Sequence, residues 1–256
     1  MRLILQTYKN MRSLTRILLA AAVITGANYT FAAAHSTAKA HEASTIQDRH
    51  LSGFNQVDVS GSFDVYITQG PTESVKVEAP AEVMDHIITE VDGGELKIYN
   101  KHDWNWHSWW GGNNKKIAIY VTAKDLNSIG ITGSGDVYFK EGIHTNSLKI
   151  RVTGSGDVLG RVEVNNLECN ISGSGDMKLN GRASTSSVGL SGSGDYNARD
   201  LVTANTTVHV SGSGDASINA TSSVTASVSG SGDVHYTGGA DHIVKSKSGS
   251  GDIERD

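Results

Sequence analysis

The sequence predicts an all-β protein, a parallel β-helix whose coils are about 19–20 residues long, preceded by an irregular β part of the same domain. Three observations predict it. The tetrapeptide Gly-Ser-Gly-Asp recurs seven times, starting at Gly133, Gly154, Gly173, Gly192, Gly212, Gly230 and Gly249, in steps of 21, 19, 19, 20, 18 and 19 residues. Apolar residues alternate on both sides of the first six copies: Ile150 and Val152 precede Gly154, and Val158 follows Asp157. A period of two marks strands with one buried face. The chain also has 29 Gly and only two Pro in 256 residues, which fits strands joined by glycine corners. Each unit is therefore two short strands around a Gly-Ser-Gly corner, and stacking aligns the inward positions into columns of core.

The first residues read differently. Met1 to Arg16 carries Arg2, Lys9, Arg12 and Arg16 and no acid; an apolar run, Ile17 to Ile24, and small residues ending at Ala34 follow. This is the pattern of a secretory signal peptide over 1–34. The apolar run is short for a membrane span, and the mature chain is expected to carry none. Residues 35–50 are polar and Ala/Ser/Thr-rich, and are expected to form a flexible linker. A single domain is expected over 51–256, with an irregular part at 51–126 and the repeat coils at 127–256.

The repeat frame starts at Phe54. Val57 and Val59 lead into Ser60-Gly61-Ser62-Phe63-Asp64, with Phe63 in the place of the second Gly, and Val65 and Ile67 follow. A turn at Gln69-Gly70-Pro71 precedes a strand from Val75 to Ala79. Pro80 to His86 predicts one short helix with Pro80 near its first turn. Ile87–Val91 and Glu95–Tyr99 predict a hairpin around Asp92-Gly93-Gly94, and Ile117–Thr122 another strand. In the last unit Lys245, Lys247 and Arg255 stand at inward positions; such charges are tolerable only on a terminal coil, where they reach solvent and discourage end-to-end stacking. The single cysteine, Cys169, falls in an inward column, so no disulfide within the chain is possible and a buried core role is expected.

Lys101 to Lys116 contains all four tryptophans: Trp104, Trp106, Trp109 and Trp110. Flat aromatic rings give much contact area at low entropic cost, which suits a glycan or protein ligand. The alternative is that they pack back as a cap over the open first coil. His102, His107 and Asp103 lie in the same stretch, but their spacing matches no metal motif.

Stacking brings the repeat aspartates into a row with like charges about 5 Å apart. In one reading each carboxylate accepts corner hydrogen bonds. In a second, Asp157, Asp176, Asp195, Asp215 and Asp233 bind Ca²⁺, although the nonapeptide of calcium-binding β-rolls is absent. In a third, two carboxylates act on a glycan, which a uniform row suits poorly. The sequence has no nucleophile elbow, zinc-protease helix motif or phosphate loop, and its net charge of −5 without a basic stretch argues against nucleic acid. No cofactor is expected.

The stretch Phe54-Asn55-Gln56-Val57-Asp58-Val59-Ser60-Gly61-Ser62-Phe63-Asp64-Val65, the strand Gly94-Glu95-Leu96-Lys97-Ile98 and the Gly-Ser-Gly-Asp-Val corners resemble the bacterial "putative auto-transporter adhesin, head GIN domain" family over residues 53 to 250. The resemblance implies a right-handed β-helix in an exported bacterial protein, periplasmic or at the cell surface. Together these features lead us to expect a non-catalytic module binding a cell-surface glycan or an envelope protein. A structural element of the envelope is the alternative, and a polysaccharide-acting enzyme a weaker one.

Overall fold

The structure is a computed structural model that describes residues 44–101 and 117–256. The signal sequence expected at 1–34 and most of the tryptophan-rich stretch lie outside the described residues. The described part holds sixteen strands and one short helix. They run β1 (Ser44–Asp48), β2 (Gln56–Gly61), β3 (Asp64–Gln69), β4 (Ser74–Pro80), α1 (Ala81–Met84), β5 (Ile87–Asp92), β6 (Glu95–Asn100), β7 (Ala118–Ala123) and β8 (Ser128–Gly133). The repeats then follow as β9 (Val137–Gly154), β10 (Val158–Gly173), β11 (Met177–Gly192), β12 (Tyr196–Gly212), β13 (Ala216–Gly230), β14 (Val234–Thr237), β15 (His242–Gly249) and β16 (Ile253–Arg255).

The coils stack as the repeat predicts. Each long strand β9 to β13 starts after one corner, bends midway, and ends at the next corner. Its first half pairs in parallel with the first half of the following strand, and its second half with the second. One inward column runs Ile129, Ile150, Cys169, Val188, Val208 and Ala226; all are at most 1% exposed. Each fully buried Val or Ile is worth about 1.5–3 kcal/mol relative to exposure, so the columns are the chief source of stability. Gly160, an apparent gap in an inward position, makes room for the ring of Phe139 in the coil before: a Cβ at Gly160 would overlap that ring.

The N-terminal part departs from simple winding. β2 and β3 form the first coil in sequence, yet in space β6 pairs with β2 and β7 with β3 on the side away from β8 and β9. The first coil is therefore held between a later coil, β6–β7, and the start of the repeats. Beyond β6–β7 the chain runs backwards: β4 is antiparallel to β7 and β5 to β6, with α1 turning between them. The helix is where Pro80 predicts it, and burial of Val83 and Met84 anchors it. Arg49 Nη2 donates to the carbonyls of Met84 and Ile87 and ties α1 down. The stretch expected to be a linker is ordered in part: β1 pairs antiparallel with the outer edge of β4. All five residues of β1 are exposed, so it carries no apolar alternation, and backbone pairing with β4 alone makes it a strand. Among the described residues no helix is long and apolar enough to cross a membrane.

Candidate binding edge

The corners form one edge of the solenoid, and hydrogen bonds between coils fix their geometry. The Ser and second Gly of each corner both donate their N–H to the carbonyl of the first Gly in the preceding coil: Ser174 and Gly175 reach Gly154 O at 2.8 and 3.1 Å. The first Gly has a positive φ, 130° at Gly173, which is glycine territory. The second Gly is required by proximity, since a Cβ on Gly175 would overlap the Gly156 carbonyl. Phe63 takes this place in the first coil and is 1% exposed.

The aspartates complete the ladder. Asp157 Oδ1 accepts the backbone N–H of Asp176 at 2.8 Å, Asp176 Oδ1 that of Asp195, Asp195 Oδ1 that of Asp215, and Asp215 Oδ1 that of Asp233. Asp233 Oδ1 accepts from Asp252 at 2.7 Å. Asp252 Oδ1 takes the Lys247 ammonium instead, and this hydrogen bond holds the Asp252 carboxyl below the usual carboxylate range. The geometry is that of the first reading, corner carboxylates as backbone acceptors. Among the described residues no three His, Cys, Asp or Glu side chains gather closely enough to hold a metal ion.

Trp104, Trp106, Trp109 and Trp110, with His102, Asp103 and His107, lie outside the described residues. The ends of their stretch are placed. β6 ends at Asn100 and β7 begins at Ala118. Lys101 N donates to His86 O at 2.7 Å, and Asp64 N to Ile117 O at 3.1 Å. These two strands lie against β2 and β3, which are joined by the Ser62-Phe63 corner. The described residues that flank the stretch, Lys101 and Ile117, thus stand beside the row of corners.

The sheet that holds β7, β3 and β9 carries a feature that sequence reasoning missed. The rings of Tyr120, Tyr66 and Tyr138, outward on β7, β3 and β9, stack with centroids 5.4 and 5.1 Å apart. Tyr138 donates to Asp136 and Tyr120 to Glu78; partial burial and the Asp136 bond push the Tyr138 phenol up to about 12. The recurring apolar-Tyr-apolar triplets Val65-Tyr66-Ile67, Ile119-Tyr120-Val121 and Val137-Tyr138-Phe139 were the available signal. They become a column only once β7 is known to neighbour β3.

On the opposite side, where the long strands bend, a groove of about 530 Å3 is floored by Ala183 and Val164 and edged by Glu163 and Arg182. The hydrogen bond from Arg161 holds the Glu163 carboxyl below its usual range, the reverse of what a general acid needs.

Residues 53–240 match the family described as "Putative auto-transporter adhesin, head GIN domain". The chain belongs to this family. No curated protein matches the sequence. Among solved structures, the chain is similar to a "putative adhesin" from Bacteroides fragilis, with TM-score 0.77 and 27% identity, over 83% of this chain and 97% of the other. A "putative lipid binding protein" from Parabacteroides distasonis matches with TM-score 0.65 and 26% identity, over 84% and 98%. A "putative adhesin" from the same organism shares the fold, with TM-score 0.67 at 22% identity, over 84% and 98%.

Proposed function

We propose that the protein is an exported, non-catalytic, adhesin-like module, periplasmic or at the cell surface, that binds a cell-surface glycan or an envelope protein. The tryptophan stretch 101–116 carries the contact, and family membership supports an adhesin-like role. The observation that favours binding over capping is the reversed coil. β4, α1 and β5 already lie over the β6–β7 end, and their own Val75, Val77, Val83 and Ile87 are buried. A cap made of tryptophans has no open first coil to cover. The lipid ligand implied by one relative's description is not carried over, because the inward columns fill the interior.

The test is a glycan-array and cell-surface binding screen of residues 35–256, beside a variant with Trp104, Trp106, Trp109 and Trp110 changed to Ser, each with and without EDTA. The expected result is binding by the parent, indifferent to EDTA, and loss of binding by a variant with unchanged circular dichroism and Tm. No binding by the parent sinks the proposal. A variant that unfolds returns the tryptophans to a capping role.

A further inference from the structure

The far end of the stack is built differently from the coils beneath it. β15 pairs only with β13 and β16 only with β14, so among the described residues the outer edges of both strands carry no partner strand. Two parallel strand edges at coil spacing are a template for another chain. The register sets Lys245 on Ala226, Lys247 on Val228 and Arg255 on Tyr236. Those three partners are 1%, 1% and 5% exposed, so the cations occupy the inward columns.

Each cation folds across the open end. Lys245 Nζ donates to Ile253 O at 2.7 Å and lies 4.8 Å from the centre of the Tyr236 ring. Arg255 donates to Ala240 O at 2.6 Å, with its guanidinium 5.5 Å from the same ring. Lys247 binds Asp252, whose carboxylate meets no corner N–H of another coil among the described residues. In this arrangement the charges keep water on one side and cover the Tyr236 ring with the other.

We propose that Lys245, Lys247 and Arg255 form a plug that closes this end of the solenoid to a second copy of the chain. An added coil would bury three cations over an apolar column, a cost that each cation avoids only while it faces water. A second copy is the occupant that fits, because its own last coil offers edges of the same spacing. Two such ends can meet about a two-fold axis, each strand lying beside its own counterpart. The opposite end offers no equal surface, since its outermost coil runs backwards and carries α1.

The experiment compares the full chain with the triple variant Lys245→Val, Lys247→Val, Arg255→Leu, which extends the columns with residues they already contain. Sedimentation velocity over a wide concentration range reads the mass, and circular dichroism the fold. The parent is expected to stay monomeric. The variant is expected to stay folded and to double its mass as concentration rises, and restoring Lys247 alone should return the monomer. A variant that is folded and monomeric throughout overturns the proposal. So does loss of the fold in both the triple variant and its three constituent double variants, because the cations would then be supports of the fold and not gatekeepers. Either result leaves the tryptophan reading untouched.

Discussion

The corner geometry makes a sharp prediction at Gly175. A Cβ there would sit 3.0 Å from the Gly156 carbonyl carbon and closer still to its oxygen, well inside the 3.0 Å that real Cβ contacts essentially never breach. The atom it meets is backbone held on both sides, so no side chain can swing away. Relief requires the two corners to part by roughly 1 Å in an interior packed at crystal density. Three bonds span the gap: Ser174 N to Gly154 O at 2.8 Å, Gly175 N to the same oxygen at 3.1 Å, and Asp176 N to Asp157 Oδ1 at 2.8 Å. At about 1 kcal/mol each, their loss puts the cost of Gly175→Ala at about 3 kcal/mol. For a domain of this size that lowers Tm by about 6–12 °C. The control is Gly239→Ala, where φ is not in the positive range and the nearest atom to a new Cβ is Thr221 O at 3.9 Å. It should change stability by no more than about 0.5 kcal/mol. Scanning calorimetry and urea midpoints of the two variants decide the matter. Equal losses in both, or a Gly175→Ala protein that melts with the parent, would refute the claim that coil proximity dictates glycine here.

Three further outcomes follow from the same structure. Asp176→Ala strands the Asp195 N–H and should cost about 1–2 kcal/mol, while Asp176→Asn keeps an acceptor oxygen and should cost clearly less; urea midpoints compare them. Tyr66 sits between two stacked rings, so Tyr66→Ala should lose about 1–3 kcal/mol from two aromatic pairs, with Tyr66→Phe close to the parent in Tm. Alkali should weaken the fold through Cys169 and Tyr196. Burial pushes the Cys169 thiol up to about 12 and the Tyr196 phenol well above its ordinary value, and Tyr196 Oη, near Ser186 and Cys169, makes no hydrogen bond of ordinary geometry. The unfolded chain releases these protons near about pH 8.5 and 10, while the fold retains them. Stability is therefore intact below about pH 8.5 and falls as pH climbs toward 12. The thiol alone accounts for about 4 kcal/mol over that range, so Cys169→Ala should flatten the fall in urea midpoint between about pH 8 and 11.

The repeat coils were legible because each is specified locally. Ile150, Val152 and Val158 announce their faces by alternation, and Gly154 and Asp157 announce the corner. The hairpin at Asp92-Gly93-Gly94 and the short helix after Pro80 were equally local signals. The order of coils at the other end was not legible. Nothing within β6 says that it lies against β2, and the reversal of β4 and β5 is a matter of long-range pairing. β1 was missed for a related reason: Ser44 to Asp48 bury nothing, so the signal resides in the edge of β4. The aspartate row was legible as a row, and only in the folded stack is it plain that each carboxylate serves the next backbone N–H. The tyrosine column belongs to the same class, since its members come from three separated strands.

The placement of the first coil between later ones has a kinetic consequence. From β9 onward each coil closes against a neighbour about 19 residues away, as Asp176 does on Asp157. At the N-terminal end Ser62 meets Ser134 across 72 residues, and β2 cannot complete its pairing until β6 and β8 are both present. The slow, entropically costly closure is thus gathered at one end, and everything after it can zip up in short steps. Folding of this solenoid is therefore uneven: a lesion in Val57, Val59 or Ile98 should delay closure of the N-terminal end while the repeat coils still wind, whereas a lesion in a repeat coil should interrupt the winding itself.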